Sequence, residues 1–460
     1  LNFVAGQTVA NLVIVKVGTG GKVSLVTSGG QTNLIGDVMG WYPSSSPVSS
    51  GALALVSADP AGASGNVDSY AAAPSRDGRL VVFSSRASDL VAGDTNDMSD
   101  VFVRDMQTGQ TSIVDLAPDG SLPKLGASGG AISSDGRYVA FTSQSTNLVA
   151  GDTNQAADVF VKDLATGTTT RVSVASNGSA GNAASGNAPG AFSSDGHHLA
   201  FVSDASNLVT GDTNGQRDVF VRSLDTGVTT RVSVSTSGAQ GDGPSGLASV
   251  SVSANGRFVA FESLASNLDP ADTGTARDVF VRDTQAGTTS MGSVTQTGTR
   301  ANGDSFIPTL SDDGRYLVFS SLASDLVATD TKGTQNVFRR DLSTGVTELV
   351  SVDPLGAPAN VAAGEASVSA DGQRVAFTSA ATNLVADPDY AAYSDIIVKD
   401  MQTGNLVRVS TAPDGKAGSK HSSSAQISSD GTHVGFASLA ANLLPEDTNA
   451  YSDVFLATLP

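Results

Sequence analysis

A dipeptide suited to reversing the chain recurs seven times in this sequence, at Asp77-Gly78, Asp135-Gly136, Asp195-Gly196, Asn255-Gly256, Asp313-Gly314, Asp371-Gly372 and Asp430-Gly431. The successive intervals are 58, 60, 60, 58, 58 and 59 residues. So even a period restricts the chain to architectures that grow by adding units. It also reconciles 460 residues with a single structure, since that length exceeds the usual one-core domain.

The second unit shows what is being repeated. A small apolar stretch, Ala131-Ile132, precedes Asp135-Gly136, and Tyr138-Val139-Ala140-Phe141 follows it. Asp-Gly between β-rich runs predicts a hairpin with a type I′ turn, whose two central residues need positive φ. A polar loop from Ser143 to Ala157 leads to Asp158-Val159-Phe160-Val161-Lys162, a Thr166-Gly167 turn and Thr169-Thr170-Arg171-Val172-Ser173-Val174. Four antiparallel strands per unit, with no segment of helical period, predict an all-β, seven-bladed β-propeller. The innermost strands are short of bulky residues, as at Gly129-Gly130-Ala131 and Gly190-Ala191, which suits crowding around an axis.

The chain ends test whether the ring closes. Unit seven stops after its third strand, Asp453-Val454-Phe455-Leu456, whereas Leu55-Val56-Ser57-Ala58-Asp59-Pro60 matches Leu349-Val350-Ser351-Val352-Asp353-Pro354 at the end of unit five. Pairing the N-terminal strand with the last one would leave no open edge at the junction. The propeller is therefore expected over residues 51–460, in 28 strands.

Units such as Ser133-Ser134-Asp135-Gly136-Arg137-Tyr138-Val139-Ala140-Phe141 resemble the TolB-like, WD-repeat-like propeller repeats of bacteria. That resemblance covers roughly 51–460 and implies fold more than function, because propellers host enzymes, adaptors and scaffolds alike. Residues 1–44 differ, with strand-like runs at Asn11–Val15, Lys22–Val26 and Leu34–Val38, ending in Gly40-Trp41-Tyr42. They resemble the C-terminal part of a β-sandwich module of actinobacterial cell-surface proteins. Three strands do not make a sandwich, so they are expected to complete a sheet with another chain or a missing segment. Residues 45–50 read as a Ser/Pro linker, and a start at Leu1 without an initiator Met suggests a piece of a longer protein.

With 26 Lys and Arg against 45 Asp and Glu, the net charge of −19 repels phosphate backbones and anionic membranes. Nucleic acid is not an expected partner, nor is membrane insertion. The absence of cysteine removes disulfides, thiolate metal sites and Cys nucleophiles.

The loop between strands two and three carries the motif closest to chemistry. Its full form is Asp94/Asn96/Asp100, Asp152/Asn154/Asp158, Asp212/Asn214/Asp218 and Asp447/Asn449/Asp453. Blade four keeps Asp272 and Asp278, blade five Asp330 with Asn336, and blade six has Asp387-Pro388-Asp389 before Asp395. Two carboxylates and a carboxamide are hard oxygen donors of the kind Ca²⁺ selects, which makes these twelve residues candidate ligands and calcium a candidate cofactor. The same residue types also cap turns by accepting backbone N–H groups, with no ion involved.

No catalytic constellation stands out. His197, His198, His421 and His433 lack acidic neighbours at ligand spacing, and no Gly-x-Ser-x-Gly elbow occurs. Tyr390, Tyr393 and Tyr451 fall in loops of neighbouring units and form a candidate partner-binding patch. Arg104, Lys162, Arg222, Arg282, Arg340 and Lys399, each near the end of a third strand, read as solvated charges in weak ion pairs. The expected function is a non-catalytic extracellular or cell-surface module that binds or scaffolds a protein or polymer. The alternatives are a polysaccharide lyase or hydrolase acting at the channel, and a TolB-like periplasmic adaptor.

Overall fold

The computed structural model describes residues 51–186, 191–329, 331, 333–385 and 393–460. The readings of 1–44 and 45–50 fall outside the described residues, as do Asp330, Asp387, Asp389 and Tyr390. Alternating apolar runs and turn residues produce seven four-stranded antiparallel sheets in a ring, and the described residues contain no helix. Each sheet follows chain order from inner to outer strand. Blade one, for example, is Ser69–Pro74, Leu80–Ser85, Asp100–Asp105 and Gln110–Ile113.

The seventh blade breaks that order and closes the ring. Its outer strand is Leu53–Leu55, antiparallel to Asp453–Thr458. Leu55 pairs with Phe455 as Leu349 pairs with Phe338 in blade five, so the sequence match between those segments is also a match of register. The Val56 amide adds a hydrogen bond to the Val454 carbonyl at 2.8 Å.

The Asp-Gly hairpins are wider than type I′ loops. In blade one the Ser75 amide bonds the Leu80 carbonyl at 2.7 Å, and Gly78 N–H returns to Ser75 O at 3.0 Å. Within the turn only the glycine has positive φ, 67° at Gly78, which makes a type I turn followed by a left-handed residue. The aspartate side chain decides this. Asp77 Oδ1 accepts from Ser75 Oγ at 2.9 Å and Arg79 N–H at 3.0 Å, bonds that hold the carboxylate over the turn.

Each blade is filled by a cross-strand pair from strands two and three. Phe83 and Phe102 stack at 5.5 Å, Phe141 and Phe160 at 5.6 Å, and Phe436 and Phe455 at 5.6 Å. Blade six sets Phe377 opposite Ile397. The apolar clusters cross blade boundaries: Val454 and Leu456 of blade seven pack with Val81, Phe83 and Phe102 of blade one. Ring closure therefore rests on shared core as well as on strand pairing.

Four of the six strand-three cations, Arg104, Arg222, Arg282 and Lys399, are also inter-blade contacts, not solvated charges, while Lys162 and Arg340 bond Thr169 and Thr347 of their own blades. Arg104 Nη1 donates to Ala58 O at 3.1 Å, Arg222 Nη1 to Val174 O at 3.3 Å, and Lys399 Nζ to Val350 O at 2.9 Å, each reaching the tail of the preceding blade. Burial lowers their pKa values, to about 8 for Lys399.

Candidate functional site

In the acidic loop, the asparagine is a strut. Asn154 Oδ1 accepts Ala156 N–H at 3.1 Å, while Nδ2 donates to Asp158 Oδ2 at 2.9 Å and Gly181 O at 3.1 Å. Asn214 repeats the pattern, Asn96 caps Met98 and bonds Asp100, and Asn449 caps Tyr451 while bonding Ser64 and Gly65. With both ends of the amide engaged, these four side chains hold the loop by Asx capping.

The second aspartate of the triplet opens strand three and is buried. A serine just past the outer strand donates to it and accepts the next backbone N–H: Ser173 Oγ bonds Asp158 Oδ1 at 2.5 Å and takes Val159 N–H at 3.1 Å. Ser57 does the same for Asp453 and Val454, at 2.6 and 3.0 Å.

What neutralises the two aspartates differs between blades. In blade two Arg171 Nη1 lies 3.0 Å from Asp152 Oδ1 and 3.3 Å from Asp158 Oδ2. In blade three Arg231 Nη1 lies 2.9 Å from Asp212 and 3.3 Å from Asp218. Blade four has Met291 at that register position, and Arg300 reaches in from the following turn to bond Asp278 at 2.7 Å and Asp272 at 3.3 Å. Arg408 lies 3.6 Å from Asp395 in blade six. These arginines were not assigned a role from sequence, although Thr169-Thr170-Arg171 and Thr229-Thr230-Arg231 repeat visibly.

Blades one and seven have no such arginine. Ile113 and Leu55 occupy its register position, opposite Phe102 and Phe455. In blade one the serine is replaced by Asp115, wholly buried against Asp100. Burial, then the charge of Asp100, drives the Asp115 carboxyl well above the usual range, and burial raises Asp100 beside it. Burial and the neighbouring Asp100 raise Asp94 to about 6. In blade seven burial raises Asp447 to about 6 and, with the charge of Asp447 adding, Asp453 to about 7. Among the described residues no three His, Asp or Glu side chains gather as a ready metal cluster.

The axis of the ring is laced at its Asp-Gly end. In six of the seven turns the residue between Ser and Asp (or Asn) joins a run of backbone hydrogen bonds, from Arg76 to Ser134, Ala254 to Asp312, Asp312 to Ala370 and Ala370 to Ser429, at 2.8–3.0 Å. The Asp430 amide bonds Arg76 O at 3.4 Å, and Asp195 N–H bonds Ala254 O at 3.0 Å. Ser134 and Ser429 hydroxyls meet at 3.0 Å, and Ser194 donates to Asp312, whose pKa burial raises. The cavity within is about 120 Å³.

The histidines do not converge. His197 pairs with Asp225 at 2.9 Å on the surface, and His421 accepts the Ser394 amide at 3.0 Å. Tyr393 packs edge-on against His421 with centroids 5.0 Å apart, while Tyr451 stands 44% exposed and no ring contact joins the two tyrosines.

No family model matches the chain, and no curated protein matches it. Among solved structures it is similar to an oligogalacturonate lyase in complex with manganese, at 16% identity and TM-score 0.51, over 90% of this chain and 98% of that one. An oligogalacturonate lyase from Vibrio parahaemolyticus aligns at 12% identity and TM-score 0.51, over 86% and 92% of the two chains. TolB from Acinetobacter baumannii aligns at 15% identity and TM-score 0.39, over 75% of this chain and 64% of that protein. At such identities the likeness is one of fold, and the chain is a seven-bladed β-propeller with TolB-like proteins among its structural neighbours.

Proposed function

We propose that this propeller is a non-catalytic module that binds or scaffolds a protein or polymer partner outside the cytoplasm. The observation that carries this reading is the narrow axis. A cavity of about 120 Å³ behind a belt of backbone hydrogen bonds is well below the 300–1,000 Å³ typical of a small-molecule site. The carboxylates that recur in every blade support it too. They cap turns, take serine hydroxyls or pair with arginine, which are structural tasks.

Recognition then falls to the long-loop end of the blades, where the units differ from one another. Met98, Leu264, Leu322, Leu439 and Tyr451 flank the second or third strand there, each 36–44% exposed. Exposed apolar side chains sharing one end of a soluble fold favour a macromolecular contact.

The test is saturable binding of the purified chain to cell-envelope polysaccharide and surface-protein fractions, compared with an L264S/L322S variant of unchanged melting temperature. Binding lost in the variant supports the reading. Turnover of uronic-acid oligomers that disappears in D312N would move the assignment to catalysis at the axis instead.

A further inference from the structure

The acidic pair of blade seven lacks the counter-charge its sister blades possess. Asp447 is 5% exposed and faces only the Asn449 backbone amide, with neither oxygen completing a well-formed hydrogen bond, while Asp453 is fully buried and its Oδ2 has at most the Asn449 side-chain amide beside it. The corresponding oxygens of blades two and three flank a single guanidinium nitrogen at 2.9–3.3 Å. Leu55 cannot supply one. Blade one, which also lacks the arginine, differs in its neighbours: Asp115 replaces the serine and meets Asp100 through a side-chain hydrogen bond, and Lys162 of the next blade adds a favourable field. Blade seven keeps Ser57 at that place, and the other charged group acting on the pair is a further carboxylate, Asp68. Burying unpaired carboxylates is costly, so the arrangement calls for a cation from solution.

We propose that Asp447 and Asp453 bind a hard divalent cation of the Ca²⁺ class at the point where the ring closes. The donors are all oxygen, and they lie on a long loop able to adjust to the 2.3–2.6 Å bonds of Ca²⁺. Two carboxylates leave most of the coordination to water, which puts the affinity in the weak range of roughly 10⁻⁴–10⁻³ M typical of extracellular modules. The cation joins the two ends of the described chain. Asp453 already holds Ser57 behind the closing strand, and Asn449, two residues from Asp447, holds Ser64 and Gly65.

The experiment is Ca²⁺ binding to the full chain by equilibrium dialysis, with thermal unfolding in EDTA and in about 5 mM Ca²⁺. Two variants accompany the wild type: D447N, which removes a ligand charge at constant volume, and L55R, which installs the guanidinium of the sister blades. The wild type is expected to bind one equivalent more than either variant, and its midpoint to rise by roughly 1–3 °C with Ca²⁺. Both variants should lose that rise, and D447N should melt higher than wild type in EDTA. If L55R fails to fold, D447N decides alone. Equal binding by wild type and D447N, or no binding by either, overturns the proposal.

Discussion

Ser57 donates its hydroxyl to Asp453 across 396 positions of sequence, at 2.6 Å, and the same oxygen accepts the Val454 amide at 3.0 Å. One side chain therefore ties the first described strand to the last. Ser57→Ala strips a donor from a buried carboxylate and an acceptor from a buried amide. It should lower stability by about 1–3 kcal/mol, read as a fall in the urea midpoint at unchanged m-value.

Arg171 separates two kinds of ion pair. Its side chain is 11% exposed between Asp152 and Asp158, whereas Arg137, paired with Asp163 at 2.8 Å, is 47% exposed. Arg171→Met leaves two buried carboxylates without a counter-charge and should cost about 3–5 kcal/mol. Arg137→Ala should cost less than about 1 kcal/mol. Comparable losses in urea melts of the two variants would refute the distinction.

Asp115 occupies a place filled by serine in blades two, three, four, five, six and seven. Its raised folded-state pKa means that its proton favours folding, so wild type loses stability as pH rises through that pKa. Asp115→Ser removes the buried acid while restoring the hydroxyl. It should stabilise the chain by about 1–2 kcal/mol at pH 8 and flatten the decline in stability that sets in as pH rises above the ordinary carboxyl value of about 3.9. Melting temperatures from about pH 4 upward would show it.

Acid acts through different groups. Hydrogen bonds from Arg137 and Arg257 hold Asp163 and Asp283 at about 2, below the usual value of about 3.9. A depressed folded-state pKa stabilises above the unfolded value, so this contribution is lost as pH falls from about 4 to about 2. With both arginines about half exposed, the effect is modest. The R137Q/R257Q double variant should show a shallower decline over that interval by circular dichroism.

The fold was legible because its information is local and repeated. The Asp-Gly period set the blade count, and the likeness of Leu55–Pro60 to Leu349–Pro354 disclosed the closing strand. The turn type was not, because the dipeptide rule ignores Asp77 Oδ1, whose bonds to Ser75 and Arg79 hold it over a wider loop. The acidic triplet could be located but not interpreted. The arginine completing it comes from the outer strand in blade two and from a later turn in blade four, so no fixed spacing announces it. Likewise Lys399 looked solvated because its acceptor, Val350 O, belongs to the preceding blade.

The belt at the axis is built from main-chain donors and acceptors, so it places no demand on the side chains that hang from it. Arg76, Ser134, Ser194, Ala254, Asp312, Ala370 and Ser429 already range from cationic to acidic to methyl at equivalent turn positions. The ring thus offers a rosette of seven addressable positions whose chemistry can be rewritten one at a time while the scaffold beneath keeps its shape.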